Sequence, residues 1–326
     1  MDNVTQSLVG WTLGQAGLKR TSRKGLAVLI LGANMPDIDV FFGHSCWAPL
    51  ATHRGFTHGL VGGVLLMPPL LAGLLWLLDR WQVRRGATFK SGLEMRFGVL
   101  VGLAYLATLT HPLLDLLTTY SVQLFSPVSN AWWHADALFI IDIGLWVVLP
   151  SAILLSKKRE GAGRADWEWP ARVGLTVGLV YIAFNLGLSE RAKADLQLVA
   201  DSPRGPGIFA SPPPFAFWRR ELVWRHGEGY ARASWDPLAG GLSPPPYQWR
   251  ADGLDDPLVH AAIVGDRRLR AFLRWSVMPV AEVERRGCSA RVALGDARYG
   301  GIAKRAPLQR VTEVPIAGCG RALAKP

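Results

Sequence analysis

Phe97-Gly-Val-Leu-Val-Gly-Leu-Ala-Tyr-Leu-Ala-Thr-Leu-Thr-His111-Pro-Leu-Leu-Asp115-Leu-Leu117 is apolar for long enough to cross a bilayer as a helix. It nevertheless carries a histidine and a carboxylate four residues apart, which one helical turn places on the same face. Ionisable groups at membrane depth are costly and are kept mostly where they line a pathway, a proton relay or a reactive site. This stretch predicts an integral membrane protein with a polar centre.

The rest of the chain agrees with that reading. Of the 326 residues half are apolar and 19% charged, a balance suited to several membrane spans. The net charge of +11 raises nucleic acid as a partner, so its distribution decides. Much of the excess lies in short tracts between apolar runs: Lys19-Arg20 with Arg23-Lys24, then Arg80 to Arg96, then Lys157-Lys158-Arg159 with Arg164. That is the pattern of cytoplasmic loops, not of a phosphate-binding groove, and nucleic acid is set aside. No cleavable signal peptide is evident, because Lys19 follows the first apolar stretch.

Five candidate spans follow from the apolar runs: Leu26 to Phe42, Gly59 to Leu78 with a kink at Pro68-Pro69, Phe97 to Leu117, Ala137 to Leu155, and Val173 to Leu188. Val4 to Leu18 reads as a short amphipathic or re-entrant helix. The expected fold is thus an α-helical membrane domain over 1–190 followed by a small β-rich domain over 191–326. Arg220-Glu-Leu-Val-Trp-Arg, Val259-His-Ala-Ala-Ile-Val and Ser289-Ala-Arg-Val-Ala-Leu suggest its strands, with Pro212-Pro-Pro and Pro244-Pro-Pro as connectors.

With basic loops inside, the loops 43–58 and 119–136 face outward, and so does the second domain. Cys288 and Cys319 can pair there, or remain two free thiols; with Cys46 they show no CxxC spacing. The polar groups then gather near one side: Asp37 and Asp39, His44, His53 and His58, His111 and Asp115, and His134 with Asp136. Carboxylates and imidazoles converging from several elements suit a divalent metal. Pro36 should break its helix, so that Asp37 and Asp39 face one way; His53 and His58, five apart, suit a loop entering a helix. Against each pair stands a plain alternative, an internal hydrogen bond that packs helices, and Asp142 can simply cap a helix or pair with Arg54.

Taken together, Asp2-Asn-Val-Thr-Gln-Ser-Leu-Val-Gly10, Asn34-Met-Pro-Asp-Ile-Asp39, His53-Arg-Gly-Phe-Thr-His58, His111-Pro-Leu-Leu-Asp-Leu-Leu-Thr-Thr-Tyr120 and Asp136-Ala-Leu-Phe-Ile-Ile-Asp142 resemble the YdjM type of predicted membrane-bound, metal-dependent hydrolases. The region from 191, with Pro213-Pro-Phe-Ala-Phe-Trp218, is similar to the appended domain of its longer members. The resemblance implies a multi-pass bacterial inner-membrane protein, a divalent ion (zinc first, with manganese or magnesium as alternatives) and hydrolysis of an unidentified substrate. Asp37, Asp39, His53, His58, His111 and Asp115 are the expected ligands, around one or two ions. Asp136 or Asp142 is the expected orienter or general base, and Arg54 the clamp for an anionic group. A site at headgroup depth favours an amphiphilic or lipid-linked substrate. Two other readings use the same groups: an ion- or proton-coupled transporter, and a non-catalytic scaffold. The chain departs from the family pattern at Gln6, where histidine is usual, and at Gly59, where serine is common.

Overall fold

The computed structural model describes residues 1–41, 53–199, 207–245, 247–302 and 308–316. His44, Cys46 and Cys319 lie outside these residues. The chain forms two compact units. Of the described residues, one holds 1–41, His53–Glu190 and Ser211–Arg219; the other holds those of Arg191–Ala210 and from Arg220 onward.

The first unit is helical. Helix α1, Asn3–Gln15, starts where the Asp2 carboxylate accepts from the backbone N–H groups of Val4 and Thr5, satisfying donors that a helix start leaves free. Its inward face is polar and small (Thr5, Gln6, Gly10, Thr12), while Val4 is exposed. That inversion is what an apolar solvent permits. Helix α2, Gly25–Gly32, is only eight residues long, and a 3-10 turn, Met35–Phe41, follows it. Pro36 lies in that turn, as its missing N–H requires.

A π-helical segment, Leu60–Leu66, runs directly into α3, Met67–Arg84. The prolines 68 and 69 fall in the first turn of α3, where their absent donors cost least. Helix α4 is Phe97–Leu116, α5 is Ile143–Gly161 and α6 is Trp169–Val199. Val28 and Leu29 of α2, Leu71, Ala72 and Leu75 of α3, and Leu100, Leu103, Ala104 and Ala107 of α4 make one buried cluster. Leu114, Ala137, Leu138, Leu145 and Leu149 make another.

Among the described residues, three helices are long and apolar enough to cross a membrane: Leu60–Arg84, Phe97–Leu116 and Trp169–Val199. The count of five is not reached. Eight residues of α2 rise about 12 Å, against a hydrocarbon core of about 30 Å. The apolar part of α5 ends at Leu155, about 20 Å along, before Lys157-Lys158-Arg159. Outward leucines line the first span, with Leu70, Leu74 and Leu77 all exposed, as do Val177 and Val180 on the last.

The second unit contains two sheets. β1 (Ile208–Ser211), β2 (Arg220–Arg225), β3 (Gly229–Asp236) and β4 (Gly241–Leu242) lie in that order, with β5 (Gln248–Ala251) pairing β3. β6 (Pro279–Arg286), β7 (Ser289–Asp296) and β8 (Gln309–Pro315) form the other, all antiparallel. The β-rich expectation holds, but 259–264 is no strand. It lies in α7, Pro257–Gly265, and α8, Arg267–Trp275, follows. Asp256 caps α7 through Leu258 N–H ahead of Pro257 at the first position, and that local start signal outweighs the β-branched run. Phe209, Val223, Tyr230, Met278, Val280 and Ala297 share one core.

Strands β3 and β7 end alike. Asp236 and Asp296 each accept from the N–H two residues on, at 2.9 and 3.0 Å. A 3-10 turn follows, then Gly240 or Gly300, each at φ 90°. Cys288, beside the β6–β7 turn, is disulfide-bonded. Its expected partner Cys319 lies outside the described residues.

Candidate metal centre

Three elements bring the site together. α2 ends and turns at Pro36, presenting Asp37 and Asp39 from the 3-10 segment. The 53–59 turn delivers His53, Arg54 and His58 just before the π segment. The last turns of α4 supply His111 and Asp115. The turn is seated by two glycines of the π segment: a Cβ on Gly62 would fall 2.2 Å from Phe56 O, and one on Gly63 2.7 Å from Thr57 O. Backbone therefore lies directly on backbone, which only glycine permits. Gly59 is pressed the same way, its would-be Cβ 2.6 Å from Ser126 O, so a serine there would require Ser126 to move.

Asp37, His58, His111 and Asp115 are all buried and offer ligand atoms within 4.8 Å of one another, so the cluster can hold a metal ion. His58 Nε2 lies 3.2 Å from Asp37 Oδ1 and 3.3 Å from Asp115 Oδ2. His111 Nε2 lies 3.2 Å from Asp37 Oδ1 and 3.5 Å from Asp115 Oδ2. Neither His58 Nε2 nor Asp115 Oδ2 makes a hydrogen bond, although both are fully buried. Two orphaned acceptor-type atoms that face each other are what an ion between them would satisfy.

The surroundings fix that geometry. His111 Nδ1 is 2.6 Å from Ala33 O, a carbonyl left without an intrahelical partner where α2 ends, so this nitrogen is the donor and Nε2 keeps its lone pair. Asp115 Oδ1 is turned away toward Arg54 Nη2, 3.1 Å off, and toward the Met1 amino group. Arg54 also donates to Thr118 Oγ1 at 3.0 Å and rests over the Tyr120 ring. It holds φ at 63°, a strained setting for a non-glycine residue and one that concentrates at functional sites.

A second group shares Asp37: with Asp39 and His53 it forms a less buried trio. His53 Nδ1 is 3.0 Å from Asp39 Oδ1, and Thr57 donates to Asp39 Oδ2 at 2.7 Å. Burial works to raise the Asp39 carboxyl, but the hydrogen bonds and charge of His53 and the bond from Thr57 outweigh it and hold it below the usual carboxylate range.

All six expected ligand positions thus fall into these two groups, with Arg54 beside them. Asp136 and Asp142 do not. Asp136 pairs with His134 at 3.0 Å, and Asp142 caps α5 through Leu145 N–H at 3.0 Å while accepting from Tyr181 OH. Of the uses the sequence left open for Asp142, the helix cap is seen. Gln6, fully buried, donates to the His111 carbonyl at 3.3 Å, so the departure from the family pattern sits against the centre itself. Sequence reasoning missed Thr57 and the Ala33 carbonyl. The first lay inside a quoted motif; the second carries no side-chain signal at all.

A helical membrane domain whose segment ends close around a buried aspartate–histidine cluster is the class these observations define. The chain belongs to the YdjM inner membrane protein family, whose model matches residues 1–192. No curated protein and no solved structure matches it.

Proposed function

We propose that the protein is a metal-dependent hydrolase working at the outer membrane–water interface on an amphiphilic phosphoester. The observation that carries this reading is the facing pair of orphaned atoms, His58 Nε2 and Asp115 Oδ2, beside His111 Nε2 and Asp37 Oδ1. Two imidazoles and two carboxylates suit zinc first. A bound ion would supply a water activated at neutral pH and a polarised ester oxygen. Ala33 holds His111 in the ligating tautomer, and Arg54, whose Nε has no partner, offers a donor to an anionic group. If one ion binds, the Asp39–His53 pair at the part-exposed rim takes the proton; if two, that pair holds the second.

The outward placement of the second unit rests on the basic loops and on the disulfide at Cys288, a bond of oxidising compartments. A carrier would gather its polar groups at the midplane, whereas these lie at the ends of their segments.

Elemental analysis of detergent-purified protein tests the reading, beside a His111→Ala/Asp115→Ala variant. Metal in the parent and its loss in the variant, with hydrolysis of a generic phosphodiester that follows the metal, is the expected result. A metal-free parent protein sinks the proposal.

A further inference from the structure

A cleft of about 820 Å³ in the helical unit lies at the opposite end of α3 and α4 from the histidines. It is built where the span Leu60–Arg84 ends, under the connection to α4. Arg23, Arg80 and Arg84 face it between Trp76, Phe89 and Met95. Arg23 donates to Asp79, 2% exposed, at 2.7 Å, and that pair uses the deepest carboxylate. Arg23 Nε stays buried without a partner. Arg80 and Arg84 are four apart on one helical face, and among the described residues neither has an acidic partner. Like charges at that spacing repel, and Glu94 on the cleft wall makes no ion pair with either, so an anion between them would stabilise the arrangement. A second cleft of about 480 Å³ adds Lys24, and Lys19 and Arg20 that already pair with Glu160, around the same Arg23.

Its neighbours say which anion. Arg80 lies over Trp76 at 4.6 Å and Arg85 over Trp81 at 5.1 Å. Lys157 lies over Trp11 and Arg159 over Trp169, both at 5.4 Å, and Arg20 over Trp167 at 4.3 Å. Tryptophans paired with cations at the ends of apolar helices mark headgroup depth. A basic pocket between helices at that depth, walled by Val83, Leu93 and Met95, matches a phosphate joined to acyl chains.

We propose that the cleft between Arg23, Arg80 and Arg84 binds the phosphate of an anionic membrane phospholipid. The site is independent of the metal centre. The test uses the full chain, delipidated in a neutral detergent, with thermal unfolding followed during titration by phosphatidylglycerol, phosphatidylcholine or glycerol phosphate. Stabilisation by phosphatidylglycerol alone is expected, and Arg80→Gln/Arg84→Gln should need roughly tenfold or more lipid for the same shift. Arg80→Lys/Arg84→Lys, which keeps the charge, should retain most of the effect. Equal stabilisation by phosphatidylcholine, an unaltered response in the glutamine variant, or a full response to glycerol phosphate would each overturn the proposal. Both residues are exposed, so the variants test binding and not folding.

Discussion

His58 Nε2 stands 3.3 Å from Asp115 Oδ2, and neither buried atom has a hydrogen bond. One belongs to the turn before the π segment and the other to a candidate membrane span, so a ligand at their meeting point would tie the two together. Replacing either with alanine should abolish stoichiometric metal. Asp39→Asn, which disturbs the bonds to His53 and Thr57 and the charge beside His58 Nδ1, should weaken metal about 10–100-fold, as loss of a supporting partner does. Equilibrium dialysis against zinc distinguishes the two classes.

Gln6→His restores an imidazole against the His111 backbone, in place of a side chain whose Oε1 has no partner. The expected outcome is more metal per chain or tighter binding of the same amount. Unchanged stoichiometry and affinity would mean that Gln6 only packs.

Gly62→Ala should destabilise by about 1–3 kcal/mol, because its Cβ cannot coexist with Phe56 O and the turn must shift. Gly73→Ala is the control: nothing lies within 4 Å, and the change should stabilise the helix by about 0.5–1 kcal/mol. Thermal melts of the two in detergent should move in opposite directions.

Acid should weaken the second unit through Asp296. Burial works to raise its carboxyl, but the Arg298 charge and the bonds from Arg298 and Ser276 hold it below the usual range. A carboxyl lowered by folding contributes stability that is complete above its unfolded value of about 3.9 and is lost as pH falls through the lower folded value. Melts should therefore be flat from neutrality to mild acid and fall below that. Asp296→Asn should remove the acid transition and cost about 3–5 kcal/mol at neutral pH, since Arg298 is then buried without its carboxylate.

Arg85→Cys, in the basic connection, should resist a membrane-impermeant thiol reagent added outside cells. Leu238→Cys, 80% exposed in the second unit, should react. Reversed labelling would overturn the orientation.

Much of the centre was legible because its signals are local. His111 and Asp115 share a helical face, Pro36 ends a helix before two carboxylates, and the spacing of His53 and His58 does not fit a regular helix. What sequence could not supply was reach. The turn of Asp115 Oδ1 toward Arg54 and the donor role of His111 Nδ1 depend on contacts across 61 and 78 residues of chain. Asp142 stayed open between several roles because a membrane-depth carboxylate and a helix cap look alike until the Leu145 N–H is placed. The span count erred where an apolar run was taken as one helix, although it breaks at Gly32. In the second unit, Asp256-Pro257 announced a helix more strongly than the residues after it suggested a strand.

The seating of the 53–59 turn on Gly62 and Gly63 has a consequence for how variants should be interpreted. A chelating loop ordinarily adapts to its ion, sampling several coordination shapes. This one has no slack, because its carbonyls already touch a helix that cannot yield. The candidate centre is closer to a mould than to a clasp: a turn that cannot give would discriminate against ions of the wrong radius by its shape alone. For the same reason, loss of metal from a glycine variant would report a displaced imidazole, not a missing ligand.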